Sequence, residues 1–322
     1  MSGARIDRHV DRCDGGPPIT RFHPRPPRGT RVAPPLEEVT LHRPVASEWH
    51  LVTRGLTELG TKESEDRERS GWGFELTLRL EVEDEEPDWA VDLLTNLASY
   101  VWTSGHAFAP GHHLDLGGPI RLGTDTALRA AVIVADPVLG AIKTPNGSVE
   151  FLQVVGLTAD ELEACRAWRT DGVVGHLAGA DPHLVTRLAR PSSLADPAVA
   201  AEVARRSEDE GSSLTELRVA SLRWRTRRVG GTVVTLGAGA SAALGPALRR
   251  ELVGPGASFV VTGDDTVARF VVSGSSSWRT VDGALEIAVA PSEVEALASL
   301  FDGRTGRGRL PALAGLHVVV VA

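Results

Sequence analysis

His106, His112, His113 and Asp115 sit within one ten-residue window and supply three imidazoles and a carboxylate, donors of the kind that bind zinc. Their spacing works against a shared ion. Two-histidine metal motifs place both ligands on one helical face, whereas Gly105, Gly111, Gly117 and Gly118 make this stretch a loop, and adjacent side chains such as His112 and His113 tend to point apart. No metal and no cofactor is expected, and a metal-dependent hydrolase using the 106–115 loop stands only as an alternative. Just upstream lie Tyr100, the single tyrosine, and Trp102. The same segment therefore also reads as one lip of a surface that grips another protein.

Other catalytic patterns fail in detail. The stretch LGAGASAALG at 236–245 resembles a phosphate-cradling loop, but it has neither the dinucleotide-binding glycine spacing nor a phosphate-loop lysine and hydroxyl. A glycine-eased turn from strand to helix is the simpler reading. No GxSxG elbow and no HExxH motif occur, and Cys165 falls inside a predicted helix as a core residue. The acid runs TKESEDRE and EVEDEEPD read as solvated faces. No catalytic residue is assigned.

The elements that must position this segment follow from apolar period. Phe74, Leu76, Leu78 and Leu80 alternate with Glu75, Thr77 and Arg79, which predicts a strand with one buried face. Pro87 and the acids before it open a helix to about Val101, with Trp89, Leu93, Leu97 and Val101 on one stripe. RAAVIVAD and SVEFLQVVGL read as two paired strands, with TPNG as a turn ahead of the second. Thr158 and Glu161 have capping-box spacing, predicting a helix to about residue 178, and Asp196 and Pro197 start another. Further on, strands are expected at 231–236, 257–261, 267–272, 284–290 and in LHVVVV, with helices near 241–253 and 291–301.

At 322 residues two domains are expected. Residues 1–35 hold seven prolines and seven arginines against three aspartates, and are read as a disordered basic tail. A first domain over 36–206, a linker or connecting segment over 207–228 and a smaller C-terminal domain over 229–322 follow. With few parallel-crossover signatures, both domains are expected to be α+β. The net charge of −8 argues against direct nucleic-acid binding, since neutralising phosphates needs a clustered basic surface. No apolar run is long enough to span a membrane, and two cysteines, Cys13 and Cys165, suit a reducing compartment, so a cytoplasmic protein is expected. The near-absence of lysine beside abundant alanine, glycine and arginine points to a GC-rich bacterial genome.

Six segments in order from about Val39 to Leu194 resemble the suppressor of fused family: GLTELGTKESED, SGWGFELTLRL, LLTNLASYVW, GHHLDLGGPI, DPVLGAIKTPNGSVEFLQVVGLTADELEA and RPSS. The second half resembles it more loosely, through LGAGA and LPALAGLHVVVV. The resemblance implies a suppressor-of-fused-like N-terminal domain and a smaller C-terminal one, both mixed α/β, that hold an extended segment of a partner protein between them, without catalysis. Animal relatives restrain Gli-class transcription factors in Hedgehog signalling; bacterial relatives imply an immunity protein that neutralises a polymorphic toxin. The second role is the expectation here, and a transcription-factor-binding negative regulator is the alternative. The family's partner-contacting tyrosine falls on Tyr100 and its acidic contact on His112, a departure that replaces a carboxylate by an imidazole. Tyr100, Trp102, His112, His113 and Asp115 are therefore the expected partner-binding residues. Trp72 and Trp168 are further candidate anchors, with a place in the core as the alternative, and Tyr100, three residues after Leu97, has the helix's apolar face as its alternative.

Overall fold

The computed structural model describes residues 2–24, 36–212, 216–219, 221–227, 231–263 and 265–322. The chain divides into two compact units, Met1–Asp209 and Glu210–Ala322, and the fold is α+β with several mixed sheets.

In the first unit the elements run α1 (Ser2–Cys13), β1 (Thr20–Phe22), β2 (Glu38–Val45), β3 (Glu48–Arg54), β4 (Arg69–Glu81), α2 (Asp88–Ser104), β5 (His113–Asp115), β6 (Leu128–Ala135), β7 (Ala141–Thr144), β8 (Gly147–Thr158), α3 (Ala159–Ala167), α4 (Thr170–Ala180) and α5 (Pro197–Glu210). The strands form one sheet in the order β1-β2-β3-β4-β8-β6-β5, with β7 hairpinned onto β8. The expected pairing of the 128–135 and 147–158 strands is present and antiparallel. The 144–147 turn, however, joins β8 to the short β7 rather than to β6. Gly147 has φ 119°, and a Cβ there would meet the backbone of Arg69 at 2.6 Å, so glycine is required.

Alternate residues of β4 face opposite cores. Phe74, Leu76, Leu78 and Leu80 pack under α2 through Ala90, Leu94, Leu97 and Val101. Glu75, Thr77 and Arg79, expected to face solvent, are buried as well. The reason is α1. Residues 2–24, read as part of a disordered tail, are folded: Ile6 and Val10, one helical turn apart, pack on Val52, Leu139, Val149 and Phe151, and His9 stacks on Phe151. Gly3 N donates to Leu59 O at 2.9 Å, and Arg54 ion-pairs with Asp7. The Pro/Arg-rich composition masked a short amphipathic period; the rest of the expected tail, 25–35, lies outside the described residues.

Beneath α1 is a buried charge network. His50 and Arg79 are cross-strand partners on β3 and β4, and His42 on β2 continues the row. His50 Nδ1–H donates to Asp14 Oδ2 at 2.8 Å, and its Nε2 lies 3.3 Å from Asp136 Oδ2. Arg79 Nη2 is 3.8 Å from Asp14 and 3.7 Å from Asp136. Burial alone would lower the His50 pKa, but the Asp136 and Asp14 carboxylates on its two ring nitrogens outweigh it and raise the value. His42 is lowered, chiefly by burial. Two cations thus face two carboxylates in the interior, one of them delivered by the segment after α1.

The remaining helices follow the sequence with one break. Thr158 N donates to Glu161 Oε2 at 2.9 Å, the expected cap, but the helix stops at Ala167 and restarts at Thr170. Trp168 turns into the core at the break, and Gly172 leaves room for its ring. Trp168 is 6% exposed, so it is not the surface anchor suggested by its type. Cys165 is buried, and burial pushes its thiol up to about 12.

In the second unit the order is β9 (Glu216–Arg218), β10 (Arg223–Arg227), β11 (Gly231–Gly237), α6 (Ala238–Glu251), β12 (Ser258–Thr262), β13 (Val267–Val272), β14 (Ser277–Val281), β15 (Ala284–Val289), α7 (Val294–Ala298), β16 (Gly306–Gly308) and β17 (Leu316–Val321). Two sheets, β10-β11-β17-β16 and β14-β15-β13-β12-β9, share one core through Leu236, Leu244, Phe259, Phe270 and Phe301. Within the connecting segment expected at 207–228, α5 ends at Glu210, and β9 and β10 pair with β12 and β11. Parallel pairs are also commoner than expected, at β4/β8, β9/β12, β11/β17 and β13/β15. Three of these pairs are distant in sequence and β13/β15 is joined through strand β14 rather than a helix, so no compact strand–helix–strand signature announces them.

Candidate partner-binding surface

The last turn of α2 and the loop after it build the surface. Leu94, Leu97 and Val101 turn toward the sheet, which leaves Tyr100 and Trp102 on the outer side, 38% and 53% exposed. Gly105 ends the helix in the left-handed conformation, φ 72°, and its N–H donates to Val101 O. The chain then folds back on the helix. Phe108 is buried, stacks on Tyr100 with ring centroids 5.7 Å apart and meets Phe74 edge-on at 6.4 Å. Trp102 packs edge-on against half-buried Trp72 at 5.6 Å. Tyr100 is thus neither a core residue nor loose: its ring is fixed from beneath by Phe108 while its outer side stays open.

The loop histidines serve the turn. Ala109 N donates to His112 Nδ1 at 3.3 Å, Gly111 N to Ile133 O at 2.8 Å, and Ile133 N to His112 O at 2.8 Å. His113 Nδ1 lies 3.4 Å from Thr170 Oγ1, and Asp115 Oδ1 accepts from Gly117 N at 2.9 Å. His106 donates its backbone N–H to Ser104 Oγ. Among the described residues no three His, Cys, Asp or Glu side chains are grouped to hold a metal ion, so the loop's donor set does not converge.

His113, Leu114 and Asp115 form β5, which pairs with β6 and ends the sheet. No described strand covers its outer edge. Such an edge presents unpaired backbone donors and acceptors to whatever lies alongside. Sequence reasoning placed these residues in a loop, because glycines on both sides hide three residues of strand.

Several motif residues turn out to be scaffold. Asn146 of TPNG donates through Nδ2 to Glu58 O at 2.8 Å and Gly60 O at 2.9 Å, tying the hairpin to the GLTELG segment. Arg190 of RPSS pairs with buried Glu161 at 2.6 Å and donates to Gly156 O at 2.7 Å, while Ser192 Oγ donates to Asp160. Burial opposes ionisation of Glu161, but Arg190 and backbone donors hold its carboxyl below the usual range.

Residues 34–191 match the Suppressor of fused protein family (SUFU). That segment, just under half of the chain, belongs to this family. The chain is 31% identical to the human Suppressor of fused homolog and 30% identical to the mouse one, each over 207 residues, 56% of this chain. The chain spans 42% of the length of these curated relatives. Drosophila Suppressor of Fused has the same fold, with TM-score 0.70 and 19% identity over 99% of this chain and 96% of that one. A Sufu chain crystallised in a Sufu–Fu complex matches with TM-score 0.57 and 24% identity over 63% of this chain and 96% of that one. No helix among the described residues is long and apolar enough to cross a membrane.

Proposed function

We propose that this protein is a non-enzymatic, cytoplasmic binding protein that restrains a partner protein by holding an extended segment of it along β5. The observation that carries this reading is the position of β5 as the last strand of its sheet, following two exposed aromatic side chains held by rings beneath them. Backbone hydrogen bonds to such an edge supply affinity, and side-chain pockets beside it supply choice. Tyr100 and Trp102 provide apolar area at low entropic cost, and His112, His113 and Asp115 set the polar character of the rim. The Sufu chain crystallised with Fu supports a protein partner in preference to a small substrate.

Two partner classes remain in play. The immunity reading, in which the partner is a toxin, rests on composition and on the bacterial branch of the resemblance. The regulator reading is favoured by the identity to the human and mouse relatives. A toxin gene beside this one would decide for the first.

The test is affinity capture from the native organism with wild type and a Tyr100→Ala/Trp102→Ala variant of matched thermal stability, followed by hydrogen exchange on the reconstituted pair. A partner lost from the variant, and slowed exchange at residues 113–115, is the expected result. A partner held equally by both proteins, with no protection at 113–115, overturns the proposed surface.

A further inference from the structure

At the opposite end of α2 a small cleft of about 90 Å³, partly open to solvent, is lined by Trp49, Leu80, Glu81, Glu83, Glu85 and Trp89. It lies wholly within the first unit. Two features set it apart. Trp49 is 7% exposed, and its indole Nε1, like that of Trp89, is enclosed without an acceptor among the described residues. Other indoles do not behave this way: Trp224 Nε1 donates to Val267 O at 3.0 Å and Trp278 Nε1 to Ala314 O at 2.9 Å. A buried donor left unmade costs about 1–3 kcal/mol, and both indoles belong to residues that line the cleft.

The second feature is charge. Glu81, Glu83 and Glu85 stand on the cleft within a run of six carboxylates in eight residues, 81–88. Glu83 is bridged to Arg121 and Glu81, at 3.9 Å, to Arg187, all four through exposed or half-exposed arms that an incoming cation can displace. Glu85 has no ion-pair partner among the described residues. Trp49 already carries one cation, the Arg43 guanidinium, 5.7 Å from its ring centroid. Aromatic walls, carboxylates and unmet N–H donors together fit a group that is cationic at its tip and carries carbonyls at its base.

We infer that this cleft is a second recognition site, which takes the arginine or lysine side chain of an extended peptide. The aromatic rings and Glu85 hold the charged tip, and the indole N–H groups bond the peptide carbonyls beside it. The site does not rest on the β5 reading: Trp89 belongs to the first turn of α2, Tyr100 and Trp102 to the last.

The seven tryptophans give seven indole N–H signals, so the test is a ¹H–¹⁵N NMR titration of the full chain. The probes are capped pentapeptides Gly-Ser-X-Ser-Gly with arginine, lysine, citrulline or norleucine at X, and the signals are assigned with Trp49→Phe and Trp89→Phe. Arginine and lysine peptides should shift the Trp49 and Trp89 signals saturably and leave that of Trp102 in place. Citrulline and norleucine peptides should not. Glu85→Gln, a surface change with no partner to lose, should weaken the response about threefold, and Tyr100→Ala/Trp102→Ala should leave it unchanged. The inference is overturned by silence of both signals, by an equal response to norleucine, by full affinity in Glu85→Gln, or by loss of the response in the Tyr100/Trp102 variant.

Discussion

The loop at 106–115 and the interior beneath α1 are built from the same residue types, histidine and aspartate, and they put them to opposite uses. In the loop, neighbours in sequence point apart: His112 and Asp115 accept from backbone N–H groups within three residues, while His113 lies beside Thr170. In the interior, His50, Arg79, Asp14 and Asp136 come from four separate segments and meet within 4 Å. Closeness along the chain produced a turn, and closeness across strands produced an electrostatic centre. The difference teaches that a cluster of ionisable letters is weak evidence for a site unless an element forces the side chains onto one face.

The contrast can be broken most severely by removing residues 2–14. That deletion strips Ile6 and Val10 from the sheet and takes one carboxylate from the network. Burial of two such side chains is worth about 3–6 kcal/mol by area, before the stranded charges are counted. A loss of at least that size in urea unfolding is expected; an unchanged midpoint would return the segment to the status of a tail.

His50→Gln is next. Removing one partner of a buried ionic cluster costs about 3–5 kcal/mol, and its pH dependence has a defined sign. The folded-state pKa of His50 is raised, so its stabilisation is fully present below the unfolded value of about 6.5 and is lost as pH rises through the folded value. The stability gap between wild type and His50→Gln should therefore narrow as pH is raised above neutrality. On the acid side, burial opposes ionisation of Asp136, but His50 and Arg79 hold it below the usual carboxylate range. Its contribution stands above about pH 4 and falls as the pH drops through that lowered value. A gap that widened with pH would show that His50 is neutral in the fold.

The smallest effect belongs to the loop. His112→Ala and His113→Ala should each change stability by no more than about 0.5 kcal/mol in the same assay, the scale for surface positions. Zinc content, measured by atomic emission after dialysis, should not differ between wild type and the pair. A large loss, or zinc released by either change, would erase the distinction between the two regions.

Periodicity carried most of the fold. β4, α2, β6, β8 and the cap at Thr158 were legible because their apolar spacing or capping pair is local. What was hidden depends on partners far away. β5 and β16 are three residues each, too short for a period, and β9 and β10 gain their identity only from β12 and β11. The buried face of β4 looked polar because its charges find partners in other segments. The exposed aromatic pair could be named as candidates from residue type, but the rings that fix them, Phe108 and Trp72, are brought beneath them only by the fold. Trp49 and Trp89 gave no signal, since an indole N–H without an acceptor is a property of the folded interior.

The docking of α1 also constrains the order in which the chain can assemble. His9 bonds the carbonyl of Leu139, a partner 130 positions further along, and Ile6 and Val10 rest on Phe151. On the ribosome this helix therefore emerges long before its seat exists. It must wait, with its apolar side uncovered, until β8 has been synthesised and paired with β4. Contacts of such long range slow folding and extend the interval in which exposed surface can associate. Chaperone dependence during synthesis should consequently fall most on the first half of the chain.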